Sequence, residues 1–231
     1  YILPNLFTAA SCFCGVVSII SSMNGRAFSA LLYIFIALIF DGLDGRVARL
    51  TNTTSKFGVE FDSLSDLVAF GVAPAVFFYV NLGYEFGKIG TLISGFFVVF
   101  GAIRLARFNV TTGTYEPSVF IGLPIPTAAI VSAVYIYAYT RYDFFRGFEV
   151  AFLLVQLGLA FLMVSNIRYP SFKKVDLSQA NMLKVLVLLI LAFSLLYLYT
   201  LESIFIAVSL YVFYGPLRTI YTLLCAKFKK R

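Results

Sequence analysis

Four aspartates, Asp41, Asp44, Asp62 and Asp66, lie within a short stretch near the N-terminal end of the chain. They belong to Asp41-Gly42-Leu43-Asp44-Gly45-Arg46-Val47-Ala48-Arg49 and Gly58-Val59-Glu60-Phe61-Asp62-Ser63-Leu64-Ser65-Asp66. Residues three or four apart share one face of a helix, so each pair would present two carboxylates on a single stripe. Four hard oxygen donors suit Mg²⁺ or Mn²⁺, with room for two ions, and such ions serve phosphoryl transfer. Gly45 lies one turn after Asp41 and Ala48 one turn after Asp44, which leaves the stripe free of bulk where a large ligand approaches the backbone. Arg49, two turns beyond Asp41, is placed to grip a diphosphate with paired hydrogen bonds. Ser55 and Lys56, at the head of the following helix, would add a hydroxyl, a cation and free N–H groups for the same anion.

The surroundings make these acids expensive. The chain of 231 residues is 61% hydrophobic and 13% charged, with a mean hydropathy of +0.92, a composition that belongs in a bilayer. An aspartate at mid-membrane depth costs about 2.5–3.5 kcal/mol, so four would cost on the order of 10 kcal/mol without compensation. Water, metal or fixed cations must therefore stand beside them. Histidine is absent, which removes every mechanism that needs an imidazole. Cys12, Cys14 and Cys225 lack metal-ligand spacing and read as small apolar fillers, so soft-metal sites are excluded.

Positioning the acids falls to helices long enough to span a membrane. Eight apolar segments qualify, at 6–23, 28–50, 56–80, 89–108, 120–140, 148–165, 181–200 and 203–224. Polar breaks separate them: Met23-Asn24-Gly25-Arg26, Asn81-Leu82-Gly83, the run from Thr111 to Ser118, and Arg168-Tyr169-Pro170-Ser171. The turn from Arg49 to Phe57 makes the second and third helices antiparallel neighbours, so their aspartates converge. An all-α, polytopic bundle in one domain is expected, with 1–165 as a six-helix catalytic core. Residues 166–231 would add a cytoplasmic loop and two further helices, packed at the periphery or at a subunit contact. With eight spans, both termini and the loops after the second, fourth and sixth helices share one side. All of the 18 Lys and Arg except Arg26, Lys88, Arg141 and Arg146 fall there, which marks that side as cytoplasmic. The net charge of +7 is thus topological, with attraction to anionic lipid as an extra and no nucleic-acid partner implied. The first apolar stretch has neither the basic leader nor the small-residue cleavage site of a removable signal.

The pattern Asp41-x2-Asp44-Gly45-x2-Ala48-Arg49-x8-Gly58-x3-Asp62-x3-Asp66 resembles the signature of the CDP-alcohol phosphotransferase family at every fixed position. The opening Leu3-Pro4-Asn5-Leu6-Phe7-Thr8 resembles the segment where members of that family contact the nucleotide. Three features resemble its phosphatidylserine synthase branch: Arg104-Leu105-Ala106-Arg107-Phe108-Asn109, Gly122-Leu123-Pro124-Ile125-Pro126, and the Pro-Asn opening followed by Phe13-Cys14-Gly15. The resemblance implies that Asp41, Asp44, Asp62 and Asp66 hold the metals and that Asp66 also accepts a proton. It implies that Asn5, Thr8, Gly45, Arg49 and Ser55 contact the cytidine diphosphate of CDP-diacylglycerol, that serine attacks and CMP leaves, and that the enzyme is a homodimer in the cell membrane. The lack of histidine argues against the unrelated, phospholipase D-like type of phosphatidylserine synthase.

Serine carries a carboxylate, so its site needs a cation. Arg104 and Arg107, three apart at the cytoplasmic end of the fourth helix, and Asn109 beyond them are the candidates. The alternative for both arginines is anchoring to headgroups. Two other readings of the chain stay open: transfer to glycerol 3-phosphate or inositol phosphate, and a divalent-cation transporter whose aspartates line the ion path. Pro74 is expected to kink the third helix beyond the aspartates, Pro124 and Pro126 to open the fifth, and Lys173 and Lys174 to form a solvated cytoplasmic face.

Overall fold

The structure, a computed structural model, describes residues 2–51, 55–111, 119–170 and 182–229. Each of the eight apolar segments forms a helix. The first four are α1 (Ile2–Met23), α2 (Ala27–Leu50), a continuous helical stretch made of α3 (Lys56–Asp66), a π-helical segment (Leu67–Val72) and α4 (Ala73–Asn81), and α5 (Lys88–Thr111). They are followed by α6 (Ile125–Arg141), α7 (Glu149–Val164), α8 (Met182–Leu198) and α9 (Thr200–Lys229). Five of these stretches, α1, α2, Lys56–Asn81, α5 and Thr200–Thr219 of α9, are long and apolar enough to cross a membrane by themselves. The chain is a multi-pass helical membrane protein.

Just ahead of Pro74, where the sequence leads one to expect a kink, the helix widens into a π-helical segment. Pro74 has no N–H to donate, and the strain is absorbed by six residues wound one residue wider, so that the Ala73 N–H reaches back to the Val68 carbonyl. The widening begins at the residue after Asp66. Helix α6 starts at Ile125, later than the segment 120–140 suggests. Gly122 is at φ +75°, where a Cβ would stand 2.5 Å from the Met163 carbonyl oxygen, and Pro124 holds an extended conformation as the N-cap. The backbone released there pairs instead: β1 (Val119–Ile121) runs antiparallel to β2 (Arg168–Pro170), and the Gly122 and Leu123 N–H groups donate to the Ile167 and Leu162 carbonyls. This short pair is the one addition to the all-α expectation among the described residues.

Helix α6 is buried on nearly every side, with Ala128 through Val134 all inaccessible, and it packs on α2, α4, α7 and α9. Helix α1 meets the bundle through a stripe of small residues, Ser11, Gly15, Ser18 and Ser22, which lets backbones approach closely. Ser11 and Ser18 donate to the α2 carbonyls of Ala37 and Ala30 at 3.1 and 2.8 Å. Cys14 is buried and Cys12 half-buried, both as free thiols. Of the two C-terminal helices, α8 lies at the periphery against α9, whereas α9 is tied into the core. Tyr135 and Ser209 share a hydrogen bond of 2.6 Å, the buried Tyr169 ring of β2 stacks on Tyr211 at 5.6 Å, and a Cβ on Gly215 would strike the Tyr169 ring at 2.5 Å. Lys173 and Lys174, and most of the loop before β1, lie outside the described residues.

A Cβ on Gly15 would stand 2.7 Å from the Cα of Ala69 and 3.0 Å from its nitrogen, backbone atoms that move only with the π-helical segment. Gly15→Ala should therefore destabilise the protein in detergent by about 1–3 kcal/mol. Gly95→Ala, at a position with nothing within 4 Å, should leave the thermal unfolding midpoint unchanged or slightly higher.

Candidate active site

The C-terminal half of α2 and α3 both pack on α1 rather than closely on each other, and their aspartates face the space between them. One carboxylate oxygen from each of Asp41, Asp62 and Asp66 lies within 4.8 Å of the others. Asp41 interacts electrostatically with Asp66, and Asp44 with Asp62, so each interaction crosses from α2 to α3. Asp44 is buried and accepts the Thr8 hydroxyl at 2.7 Å. Asp66 Oδ1 is buried with no hydrogen-bond partner among the described residues. None of the four forms an ion pair there either; the ion pair seen is Arg146 with Asp143, in the connection between α6 and α7. Converging carboxylates, one oxygen orphaned and no cation in contact, are a donor set that a divalent ion fits.

Beside the carboxylates opens a cavity of about 340 Å³. Asn5 and Thr8 of α1, Asp44, Gly45, Ala48 and Arg49 of α2, and Ser55, Gly58 and Asp62 around the head of α3 line it. The five positions expected at the nucleotide, Asn5, Thr8, Gly45, Arg49 and Ser55, thus surround one space. A Cβ on Gly45 would meet nothing within 4 Å, so the missing side chain widens the cavity. At Gly58 a Cβ would crowd Ser55 Oγ at 3.2 Å and Asn5 Oδ1 at 3.3 Å. Ser55 caps α3 by accepting the Gly58 N–H at 3.0 Å. Arg49 Nε donates to the Gly45 carbonyl at 2.9 Å, which leaves both Nη groups without a partner among the described residues. Lys56 is exposed and does not line the cavity.

On the other flank of the aspartates the structure separates the three residues expected at serine. Arg104 is 8% exposed, its Nε has no partner among the described residues, and it lies within electrostatic reach of Asp66 without forming an ion pair with it. Arg107 is spent on the backbone: its two Nη groups donate to the carbonyls of Met163, Val164, Ser165 and Ile121 at 3.1–3.3 Å. It caps α7 and ties α5 to β1. Asn109 Nδ2 donates to Ser63 Oγ at 2.9 Å, joining the end of α5 to α3 beside Asp62. Ser63, Ser65 and Tyr211 are neighbours of the site that sequence reasoning passes over. Ser65 donates to the Thr8 carbonyl at 2.9 Å, and Tyr211 of α9 lies within electrostatic reach of Arg104. The serines carried a faint signal, as hydroxyls beside aspartates in an apolar helix; for Tyr211, more than a hundred residues away along the chain, there was none.

The CDP-alcohol phosphatidyltransferase family model matches residues 1–164. Among curated proteins, the chain is 48% identical over 231 residues to the CDP-diacylglycerol–serine O-phosphatidyltransferase of Helicobacter pylori strain J99, covering 100% of this chain and 96% of that one. It is 38% identical over 171 residues to the archaetidylserine synthase of Methanothermobacter thermautotrophicus, covering 73% of this chain and 69% of the relative. A Bacillus subtilis CDP-diacylglycerol–serine O-phosphatidyltransferase is 34% identical over 172 residues, 74% of this chain and 92% of its own length.

The allocation of Arg107 to four carbonyls has a measurable consequence. A lysine keeps the charge but not the fork, so Arg107→Lys should cost about 2–3 kcal/mol by leaving buried carbonyls unmatched, read as a lower thermal midpoint in detergent.

Proposed function

The chain belongs to the CDP-alcohol phosphatidyltransferase family, and from that premise we infer that it transfers the phosphatidyl group of CDP-diacylglycerol to L-serine, releasing CMP and forming phosphatidylserine. The observation that carries this reading is the convergence of Asp41, Asp62 and Asp66, with Asp44 held by Thr8 at the wall of a cavity that Asn5, Thr8, Gly45, Arg49 and Ser55 also line. Relatives named for serine transfer, at up to 48% identity over the full chain, support the acceptor.

In the mechanism that follows, the cavity takes the cytidine diphosphate. Arg49 offers its free Nη groups to the diphosphate, and Asn5, Thr8 and Ser55 supply polar contacts from α1 and the head of α3. Gly45 leaves the space for the nucleotide, and Lys56 adds charge at the mouth. Asp41, Asp44, Asp62 and Asp66 would hold one or two Mg²⁺ or Mn²⁺ ions. When bound, such ions neutralise the diphosphate and the departing CMP.

Arg104 binds the serine carboxylate. Its buried Nε, without a partner among the described residues, is the observation that favours it over Arg107, whose donors are consumed, and over Asn109, which is tied to Ser63. Asp66 accepts the proton of the serine hydroxyl as that oxygen attacks the phosphorus bearing diacylglycerol. The bond from this phosphorus to the CMP oxygen breaks, and CMP leaves with the electron pair. With histidine absent, a carboxylate is the base type at hand. A phosphorylated acceptor such as glycerol 3-phosphate or inositol phosphate would call for more than one unspent buried cation. The site faces the cytoplasm of the cell membrane on this reading, because the aspartates lie toward the ends of α2 and α3 that carry Arg46, Arg49 and Lys56, near the end of α5 that carries Arg104 and Arg107. A homodimer is its expected assembly, and a CDP-lipid with ester-linked or ether-linked tails fits the reading equally.

Membranes containing the protein, supplied with CDP-diacylglycerol, Mg²⁺ or Mn²⁺ and labelled L-serine, should release CMP and form labelled phosphatidylserine. Release with glycerol 3-phosphate or inositol phosphate but not with serine would reassign the acceptor; metal flux in proteoliposomes without CMP release would remove the enzyme reading. Asp66→Asn should lower kcat by about 10²–10⁴-fold while CDP-lipid binding persists. Asp41→Asn should lose metal and nucleotide binding together.

A further inference from the structure

Thr8 touches both aspartate-bearing helices at once. Its hydroxyl donates to Asp44 Oδ2 on α2 at 2.7 Å, and its main-chain carbonyl accepts the Ser65 hydroxyl of α3 at 2.9 Å. The hydroxyl has a second, longer acceptor in the Pro4 carbonyl at 3.2 Å, but a carboxylate is the stronger partner. Thr8, Asp44 and Ser65 are all buried, at 3%, 6% and 2% exposure, so water does not compete for these bonds. Ser65 immediately precedes Asp66, and farther along the same two elements Gly15 of α1 is pressed against Ala69 of the π-helical segment.

We propose that Thr8 and Ser65 are positioning residues for the carboxylate cluster: through one residue, α1 sets the separation between the aspartates of α2 and those of α3. Helices α2 and α3 face each other through carboxylates that repel one another and pack on α1 rather than closely on each other, so nothing in their own contact holds them at the spacing a shared cation needs. A brace from a third helix does. The side chain of Thr8 holds Asp44, its carbonyl holds the turn that carries Asp66, and the two ends are joined by the covalent geometry of one residue. Thr8 also lines the nucleotide cavity, and its role there and its role as a brace predict different losses. This inference rests on the metal-dependent reading of the site given above.

The test is Mn²⁺ binding by the purified full-length chain in detergent, followed by loss of the electron paramagnetic resonance signal of the free aqua ion, with no substrate present. Thr8→Val, which keeps the shape and the carbonyl but removes the hydroxyl, and Ser65→Ala should each raise the Mn²⁺ dissociation constant on the order of 10-fold, the effect expected of a group that orients a metal ligand. Thr8→Ser keeps both contacts and should bind like the wild type. At saturating metal, the KM for CDP-diacylglycerol of Ser65→Ala should match that of the wild type. Wild-type Mn²⁺ affinity in Ser65→Ala overturns the proposal. A raised KM for CDP-diacylglycerol with unchanged Mn²⁺ affinity in Thr8→Val also overturns it and makes Thr8 a nucleotide contact alone. Should Thr8→Val not fold, Ser65→Ala, a smaller change on another helix, decides the matter. Absence of Mn²⁺ binding in the wild type itself would overturn the metal-dependent reading, and the brace with it.

Discussion

Four carboxylates gathered inside an apolar bundle repel one another and are poorly solvated, and much of the structure supplies what they lack. An isolated acid at that depth costs a few kcal/mol, and bringing four together adds Coulomb repulsion to desolvation. The relief comes from several directions. Thr8 donates to Asp44, Arg104 places a buried positive charge within reach of Asp66, and the cavity opens the cluster to a charged ligand. The orphaned Asp66 Oδ1 and the close approach of Asp41, Asp62 and Asp66 mark where a cation would complete the balance.

The requirement propagates into the packing. Holding two repelling helices side by side needs a third element in intimate contact with both, and the small-residue stripe of α1 permits it. Serine-to-carbonyl bonds and the Gly15–Ala69 approach contribute little singly inside a membrane, about 0.6 kcal/mol for an average interhelical hydrogen bond, but they fix distances that a looser leucine interface would leave open. The π-helical segment belongs to the same arrangement: it starts directly after Asp66 and takes up the backbone fault that Pro74 creates. The residues following Asp66 are thereby rephased against α1 without breaking the helix.

Three arginines show how neighbours assign different tasks to one side chain. Arg49 rests its Nε on its own helix and leaves its tips without a partner among the described residues at the cavity wall. Arg104 is buried with a donor unmatched among the described residues, within electrostatic reach of Asp66. Arg107, one turn on, spends its fork on the last carbonyls of α7 and on Ile121, where it acts as a helix cap supplied by another helix. Helix α9 adds a further layer beyond the region of the family match, docked through Tyr169 against Tyr211 and Gly215, which brings the C-terminal part of the chain to the flank of the site that holds Arg104.

Much of this was legible without coordinates. Apolar periodicity marked all eight helices, because the bilayer demands long uncharged runs, and aspartate spacing placed each acidic pair on one stripe, because helix geometry is local. The fixed positions around Asp41–Asp66 identified the family through local pattern alone. What depended on folding was every relation between distant segments: that Arg107 belongs to α7 and Arg104 to the site, that Asn109 binds Ser63, that the fifth helix begins after Gly122 and Pro124, and that Thr8 stands between Asp44 and Ser65. A hydrogen bond's partner is chosen by three-dimensional proximity, and two arginines three residues apart carry no mark of which one a backbone carbonyl will claim.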